Sequence, residues 1–229
     1  VLDRPQRVGP LLDSLGRATS VPHRALFVCT PGDEAEIEAL RAAGAEMLVT
    51  TWEAGSGDFS MKTNFAYRQS EEPWIFCGAD DLFFEPGWDE AALTVAERHR
   101  AGVTGTNDDA NTLVKKGLHA THSLIRRSYI KEQGGTFDGT GEIYSETYDH
   151  QWTDSELVET AKLRRQWAFA RDSVVRHLHP HWGTAEMDWV YEKGQRAVKE
   201  DFALYVQRVR KLRKLHAGQR RALRYNPSR

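Results

Sequence analysis

The sequence predicts an α/β fold: a mixed, mainly parallel sheet flanked by helices, with a helical extension at its C-terminal end. Three observations carry this. Strand-like runs at 24–30 and 46–51 alternate with helix-patterned stretches at 8–15 and 33–43, the βαβ rhythm of a parallel sheet with helices on its faces. The apolar run Trp74-Ile75-Phe76 leads into Asp80-Asp81, resumes as Leu82-Phe83-Phe84 and closes with Pro86-Gly87. That pattern is a buried strand presenting acids at its tip, where open α/β sheets bind ligands. Third, the stretch from Ala185 onward is charge-rich, with Tyr205, Val209, Leu212 and Leu215 on one helical stripe.

A chain of 229 residues can bury a good core as one large domain, or one domain with an appendage. A formal charge of -2 excludes a bulk electrostatic pull toward nucleic acid, so no specific nucleic-acid partner is expected. No apolar run approaches the roughly 20 residues of a membrane span, and the first residues lack a signal-peptide pattern. Cys29 and Cys77 sit inside apolar runs, as small buried side chains do. A cytoplasmic, reducing setting is the expectation.

Taken in order, Val1-Leu2-Asp3-Arg4-Pro5 has the pattern of a strand end and its turn, which predicts further residues upstream. The helix over 8–15 follows, then the strand over 24–30. Asp33 is the N-cap candidate of the next helix, which Gly44 stops before the strand over 46–51. Ala54-Gly55-Ser56-Gly57-Asp58 is a flexible loop suited either to linking elements or to approaching a phosphate. The helix over 60–70 carries Lys62 and Asn64 near its start, where they can hold an anion or simply solvate. A helix over 88–100 follows the acidic strand. A short strand at 102–105, a polar loop at 107–111, a strand at 119–125 and a helix from 128 to Gly134 come next. A long loop with Tyr144 and Tyr148 leads to Trp152 and a helix over 154–164, with Asp154 and Glu156 in its first turn. There two acids serve the helix dipole, or a reaction. The strand over 169–176 ends in His177-Leu178-His179-Pro180-His181-Trp182.

Adjacent carboxylates repel, so Asp80 and Asp81 need a neutraliser: a divalent cation, or solvent if they form a plain turn. Three histidines within five residues favour metal ligation over isolated surface positions. Tyr144, Tyr148, Trp152 and Trp182 have rings suited to stacking on a sugar, or to packing. From Gln207 onward there is no acid, and Arg208, Arg210, Lys211, Arg213, Lys214, Arg220, Arg221, Arg224 and Arg229 are basic. Such a helix suits solvent, a peripheral contact with a membrane, or a second subunit.

Five motifs in sequence order resemble the family-2 type of GT-A fold glycosyltransferases: Asp3-Arg4-Pro5, Lys62-x-Asn64, Gly78-Ala79-Asp80-Asp81, Asp154-x-Glu156-Leu157 and His177-x-His179-Pro180. The resemblance spans residue 1 to about 190. It implies a GT-A domain over 1–190, with a nucleotide-sugar-binding half at 1–100 and an acceptor-binding half at 101–190, followed by a basic helical extension at 191–229. By the same resemblance Asp3 and Arg4 border the nucleotide, and Lys62, Asn64 and Ala79 lie along the nucleotide-sugar. Asp80, with Asp81 beside it, binds Mn²⁺ or Mg²⁺, and His177 or His179 completes the metal shell. Asp154 is the general base and Glu156 its neighbour. The donor is a nucleoside-diphosphate sugar, UDP-linked in preference to GDP-linked, and the acceptor a glycan, a protein or a lipid-linked sugar. The sequence departs from the family pattern at Gly78, where the motif's first Asp would stand, and in having almost no first strand, which leaves a gap in the sheet centre. The alternatives on a similar sheet are a sugar-nucleotide nucleotidyltransferase and a carbohydrate-binding or assembly protein without turnover.

Overall fold

The computed structural model describes the backbone of residues 3–225 and the side chains through Ala217. Val1 and Leu2 of the opening strand, and the basic side chains from Arg220 onward, lie outside the described residues. Helix α1 (Val8–Ala18) precedes β1 (Leu26–Cys29), α2 (Glu34–Ala42), β2 (Glu46–Val49), α3 (Asp58–Arg68), β3 (Trp74–Phe76), β4 (Leu82–Phe84) and α4 (Trp88–His99). The second half holds β5 (Val103–Asn107), α5 (Thr112–Lys115), β6 (Ser123–Arg126), α6 (Arg127–Gln133), α7 (Thr153–Leu163), β7 (Trp167–His177) and the long α8 (Trp189–Tyr225). Each expected element is present within a few residues. The four-residue α5, capped by Asn111 through its side-chain oxygen, is an addition.

β1 and β2 pair in parallel as one sheet, and β3-β6-β5-β7-β4 form a second. In that second sheet only β5 and β7 run parallel; β3–β6, β5–β6 and β4–β7 are antiparallel. The sheet is mixed, as expected, but it is not mainly parallel. The connection over 108–122 holds only the one-turn α5 in place of the long crossover helix usual between parallel strands, and β6 enters reversed.

Apolar side chains pack on both faces. Val8, Leu11, Phe27, Leu40, Phe84, Trp88 and Val175 join α1, α2 and α4 to their strands. Tyr67, Val103, Ile125, Ile130, Tyr144 and Leu157 join α3, α6 and α7 to the other side. Cys29 and Cys77 are buried free thiols, and burial pushes Cys77 up to about 12, so neither carries exposed thiolate chemistry.

The two sheets are separate, and β1 of one and β3 of the other face a common space. This space is a cavity of about 1060 Å³, with Leu11, Leu15, Leu26, Ile75 and Phe76 on its apolar walls. It continues to the strand tips, where the lining becomes charged.

α8 is part of the body. Tyr191, Ala197, Val209 and Leu212 are buried along it. Asp201 accepts the backbone N–H groups of Asp149, His150 and Gln151 at 2.7–2.9 Å. Those bonds fix the loop that leads into α7. Among the described residues no helix is long and apolar enough to cross a membrane.

Candidate functional site at the strand tips

The chain turns after β3 and returns as β4, and this places Asp80 and Asp81 at the charged end of the cavity. Both are buried, at 9% and 4% exposure, so the reading of a solvated turn fails. Their neutraliser within the chain is Arg4. Its Nη1 lies 2.9 Å from Asp80 Oδ1 and 3.4 Å from Asp81 Oδ2. Its Nε and Nη2 bond both oxygens of Asp188 at 2.9 and 2.8 Å. Burial opposes the charge on Arg4, but the Asp188 hydrogen bonds and the Asp80 charge outweigh it. The guanidinium also lies 3.9 Å from the centre of the Tyr191 ring.

Asp188 precedes α8 and accepts the N–H groups of Val190 and Tyr191 at 3.1 and 3.0 Å. It thus caps that helix while gripping Arg4. Tyr191 hydroxyl donates to Leu178 O at 2.7 Å and lies 3.0 Å from Asp81 Oδ2. The first turn of α8 is in this way fastened to the acidic pair.

β7 brings His177 to the same place, its Nε2 3.3 Å from Asp81 Oδ2. Burial alone would lower His177, yet the Asp81 hydrogen bond and charge raise it. The same contacts, led by the His177 hydrogen bond, overcome burial and hold Asp81 well below the usual carboxylate range. His179 is 5.2 Å from His177, ring centre to ring centre, and is pushed down to about 4 by burial and the His177 charge. His122, just before β6, is 5.4 Å from His177 and likewise falls to about 4.

No group of three or more His, Cys, Asp or Glu among the described residues is arranged to hold a metal ion by itself. Near the acidic pair, the buried oxygens Asp81 Oδ1 and Asp108 Oδ2 and the nitrogen His122 Nε2 have no hydrogen-bond partner among the described residues. A carboxylate oxygen with imidazole nitrogens nearby suits Mn²⁺ or Mg²⁺, the remaining ligands being water or a diphosphate. The donor set therefore fits a divalent ion that the chain holds only in part.

Across the cavity stands Asp154, in the first turn of α7. Its Oδ1 accepts the Ser155 N–H at 2.7 Å, and its Oδ2 lies 3.1 Å from His119 Nε2. Burial pushes the carboxyl up, but the His119 charge and hydrogen bond, with the Ser155 N–H, hold it below its ordinary value. Arg4, Lys62, Ala79, Asp80, Asp81, Asp154, His177 and His179 all line this one cavity.

Other expected site residues do different work. Asp3 is at the rim, its N–H bonded to Asp33 Oδ2 at 2.8 Å and its carboxylate to Trp189 Nε1 at 2.7 Å. Asp33 consequently holds Asp3 and makes no side-chain cap on α2. Lys62 is the exception: it pairs with Asp58 at 2.8 Å and still lines the cavity. Asn64 is fully buried and holds the loop at 143–146: its oxygen accepts the Ile143 and Tyr144 N–H groups, and its nitrogen donates to Tyr144 O. Glu156 points away from the cavity, bonded to Tyr148 at 2.7 Å and to Arg208 at 2.6 and 2.8 Å. Tyr144 and Tyr148 are sealed in the core and offer no face to a sugar. Trp152 is packed between Phe202 and Tyr205, 4.9 and 5.2 Å away. At Gly78 an added Cβ would meet only ordinary contacts, the nearest at 3.5 Å, so packing does not force the absence of a carboxylate there.

Sequence reasoning missed His119, His122, Asp188 and Tyr191. The two histidines carried a weak signal, standing three apart ahead of a strand. Asp188 ahead of an apolar helical start had the signature of an N-cap.

No protein-family profile matches the chain, and no curated protein matches its sequence. Solved structures do. Mannosyltransferase PcManGT from Pyrobaculum calidifontis, in complex with GDP-Man and Mn²⁺, aligns with a TM-score of 0.67 at 12% identity, over 90% of this chain and 62% of that one. S. aureus TarS 1-349 in complex with UDP-GlcNAc aligns with a TM-score of 0.58 at 15% identity, over 82% of this chain and 60% of that one. The same protein with UDP aligns at 0.57 and 15% identity, over 76% and 57%. This chain thus spans less than two thirds of each. The likeness establishes the fold, a GT-A-like α/β architecture.

Proposed function

We propose that the chain is a glycosyltransferase that moves a sugar from a nucleoside-diphosphate donor to an acceptor hydroxyl with inversion. The observation that carries this is the convergence, on one cavity at the strand tips, of the acidic pair with its cations and of Asp154 on a separate element. The complexes of similarly folded proteins with GDP-Man, UDP and UDP-GlcNAc support a sugar-nucleotide ligand.

In this reading the diphosphate lies at the Arg4–Asp80–Asp81 end, with Lys62 and Ala79 along the donor. Asp80, Asp81, His177 and His179 would hold Mn²⁺ or Mg²⁺, which when bound supplies positive charge to the diphosphate. Arg4 adds a fixed cation whatever the metal content. The acceptor oxygen attacks the anomeric carbon from the face opposite the leaving group. As that C–O bond forms, the C–O bond to the diphosphate breaks, and the hydroxyl proton passes to the Asp154 carboxylate. General-base assistance of this kind is worth about 10²–10⁴-fold. No covalent intermediate is needed. Glu156, spent on Arg208, supports α7 rather than the reaction.

Incubation with UDP-GlcNAc and with GDP-Man, assayed for free nucleoside diphosphate, tests the reading. Slow release from one donor, abolished in Asp154→Asn, is expected. Pyrophosphate release from a sugar 1-phosphate and a nucleoside triphosphate, without diphosphate release from either donor, would point instead to a nucleotidyltransferase.

A further inference from the structure

Asp154 does not face the cavity alone. Its two oxygens are held from different elements: Oδ1 by the N–H of Ser155 on its own helix, and Oδ2 by His119 from the segment before β6, at 3.1 Å. That segment is itself tied to α7, since Lys162 Nζ donates to Leu118 O at 2.5 Å. His119 and the base are thus fixed to each other through backbone as well as side chain. The charges of His122 and His177 couple to that of Asp154, and Tyr144 and Tyr205 lie within reach of its field, but His119 is the titratable side chain in hydrogen-bond contact with it among the described residues.

We propose that His119 is a positioning residue for the transfer reaction: it fixes the orientation of the Asp154 carboxylate toward the acceptor hydroxyl. The inference rests on the reading of Asp154 as the base. His119 exchanges no atom with substrate. The proton leaves the acceptor oxygen for Asp154, and the imidazole supplies direction. A carboxylate without this contact turns about its side-chain bonds, and a misplacement of about 1 Å in a reacting group can cost on the order of 10²-fold.

The test compares wild type, His119→Ala and His119→Gln. With UDP-GlcNAc or GDP-Man as donor, kcat for diphosphate release is expected to fall about 10–10²-fold in His119→Ala with the donor KM unchanged, and to recover in part in His119→Gln. The sign of the pH effect follows from the contacts. Removing His119 leaves burial, which raises the carboxyl, so the acid limb of the kcat profile moves to higher pH. The γ-carbon NMR signal of Asp154 in aspartate-labelled protein, assigned with Asp154→Asn, reports the same midpoint without turnover. An unmoved midpoint, or a KM rise at constant kcat, overturns the inference while leaving the function intact. Failure of folded wild type to bind either GDP or UDP in calorimetry overturns the transferase reading, and this inference with it, wherever the midpoint lies.

Discussion

Asp154 and Glu156 occupy the same first turn of α7 and have opposite surroundings. Two positions along a helix differ by about 200° in direction, so when one faces the cavity the other faces away. Asp154 lines the cavity, partly exposed, with His119 at its Oδ2. Glu156 is 1% exposed and gives both oxygens to Arg208 of α8, with Tyr148 donating to one of them. Identical chemistry thus yields a candidate base at one position and a structural clamp at the other. Orientation and partners decide the role; the residue type and the motif do not.

The largest expected effect separates the two acids by activity. Asp154→Asn should reduce diphosphate release by about 10²–10⁴-fold with an unchanged unfolding midpoint. A loss under tenfold would place the base elsewhere. Glu156→Ala should do the reverse. Removing Glu156 leaves Arg208 with Asp138 as its remaining acidic partner, so the cost in urea unfolding should lie below the about 3–5 kcal/mol of a fully broken buried pair. Replacing both partners, as Glu156→Leu with Arg208→Met, should restore much of that. If Glu156→Ala leaves stability intact and removes activity, the assignment is inverted.

The same contrast recurs among the histidines. His177 meets the Asp81 carboxylate and is raised, whereas His122 Nδ1 meets the Cys77 carbonyl at 3.0 Å and, buried, falls to about 4. Between pH 6.5 and 4 the unfolded chain protonates position 122 and the folded chain does not, so stability must fall as pH falls through that window. The shift corresponds to about 3 kcal/mol. His179, also lowered, adds in the same direction. His177 acts in the opposite sense and higher up: its contribution is complete below 6.5 and is lost as pH rises through its folded value. Urea midpoints measured between pH 7 and 4 should therefore decline in wild type and decline less in His122→Gln. An equal decline in both would remove His122 as the cause.

The smallest effect is expected at the surface, where Arg24 pairs with Glu46 at 2.5 Å and Glu72 at 3.3 Å in open solvent. Exposed pairs gain little over their hydrated states. Arg24→Ala should leave both the urea midpoint and nucleotide binding unmoved, and a clear shift would mean that this edge of the sheet supports the cavity.

Much of the architecture was legible because local signals agreed with it. Gly44 stops α2, Gly134 stops α6, and the acids of Asp80 and Asp81 fall where an apolar run breaks. Strand direction was not legible, because it depends on how strands distant in sequence pair, and no local pattern marks the reversal. The site was legible in residue type but not in contact. Arg4 and Asp188 are 184 positions apart, and nothing local indicates that they share a bidentate bond. Asn64 and Glu156 matched motifs, yet each is consumed by a partner from a distant element: the loop at 143–146 for one and α8 for the other. His119 was visible only as the first of the alternating polar residues in the strand expected over 119–125, because its meaning lies in Asp154, 35 residues away.

The most direct test of the central claim is calorimetric titration of GDP and of UDP, with and without Mn²⁺, into wild type and Asp81→Asn. Binding of one nucleotide in wild type, strengthened by Mn²⁺ and weakened about tenfold or more in the variant, is the predicted result, given charge-assisted contacts of about 1.5–3 kcal/mol each. Folded wild type that binds neither nucleotide under either condition would contradict the assignment of this cavity to a nucleoside-diphosphate sugar.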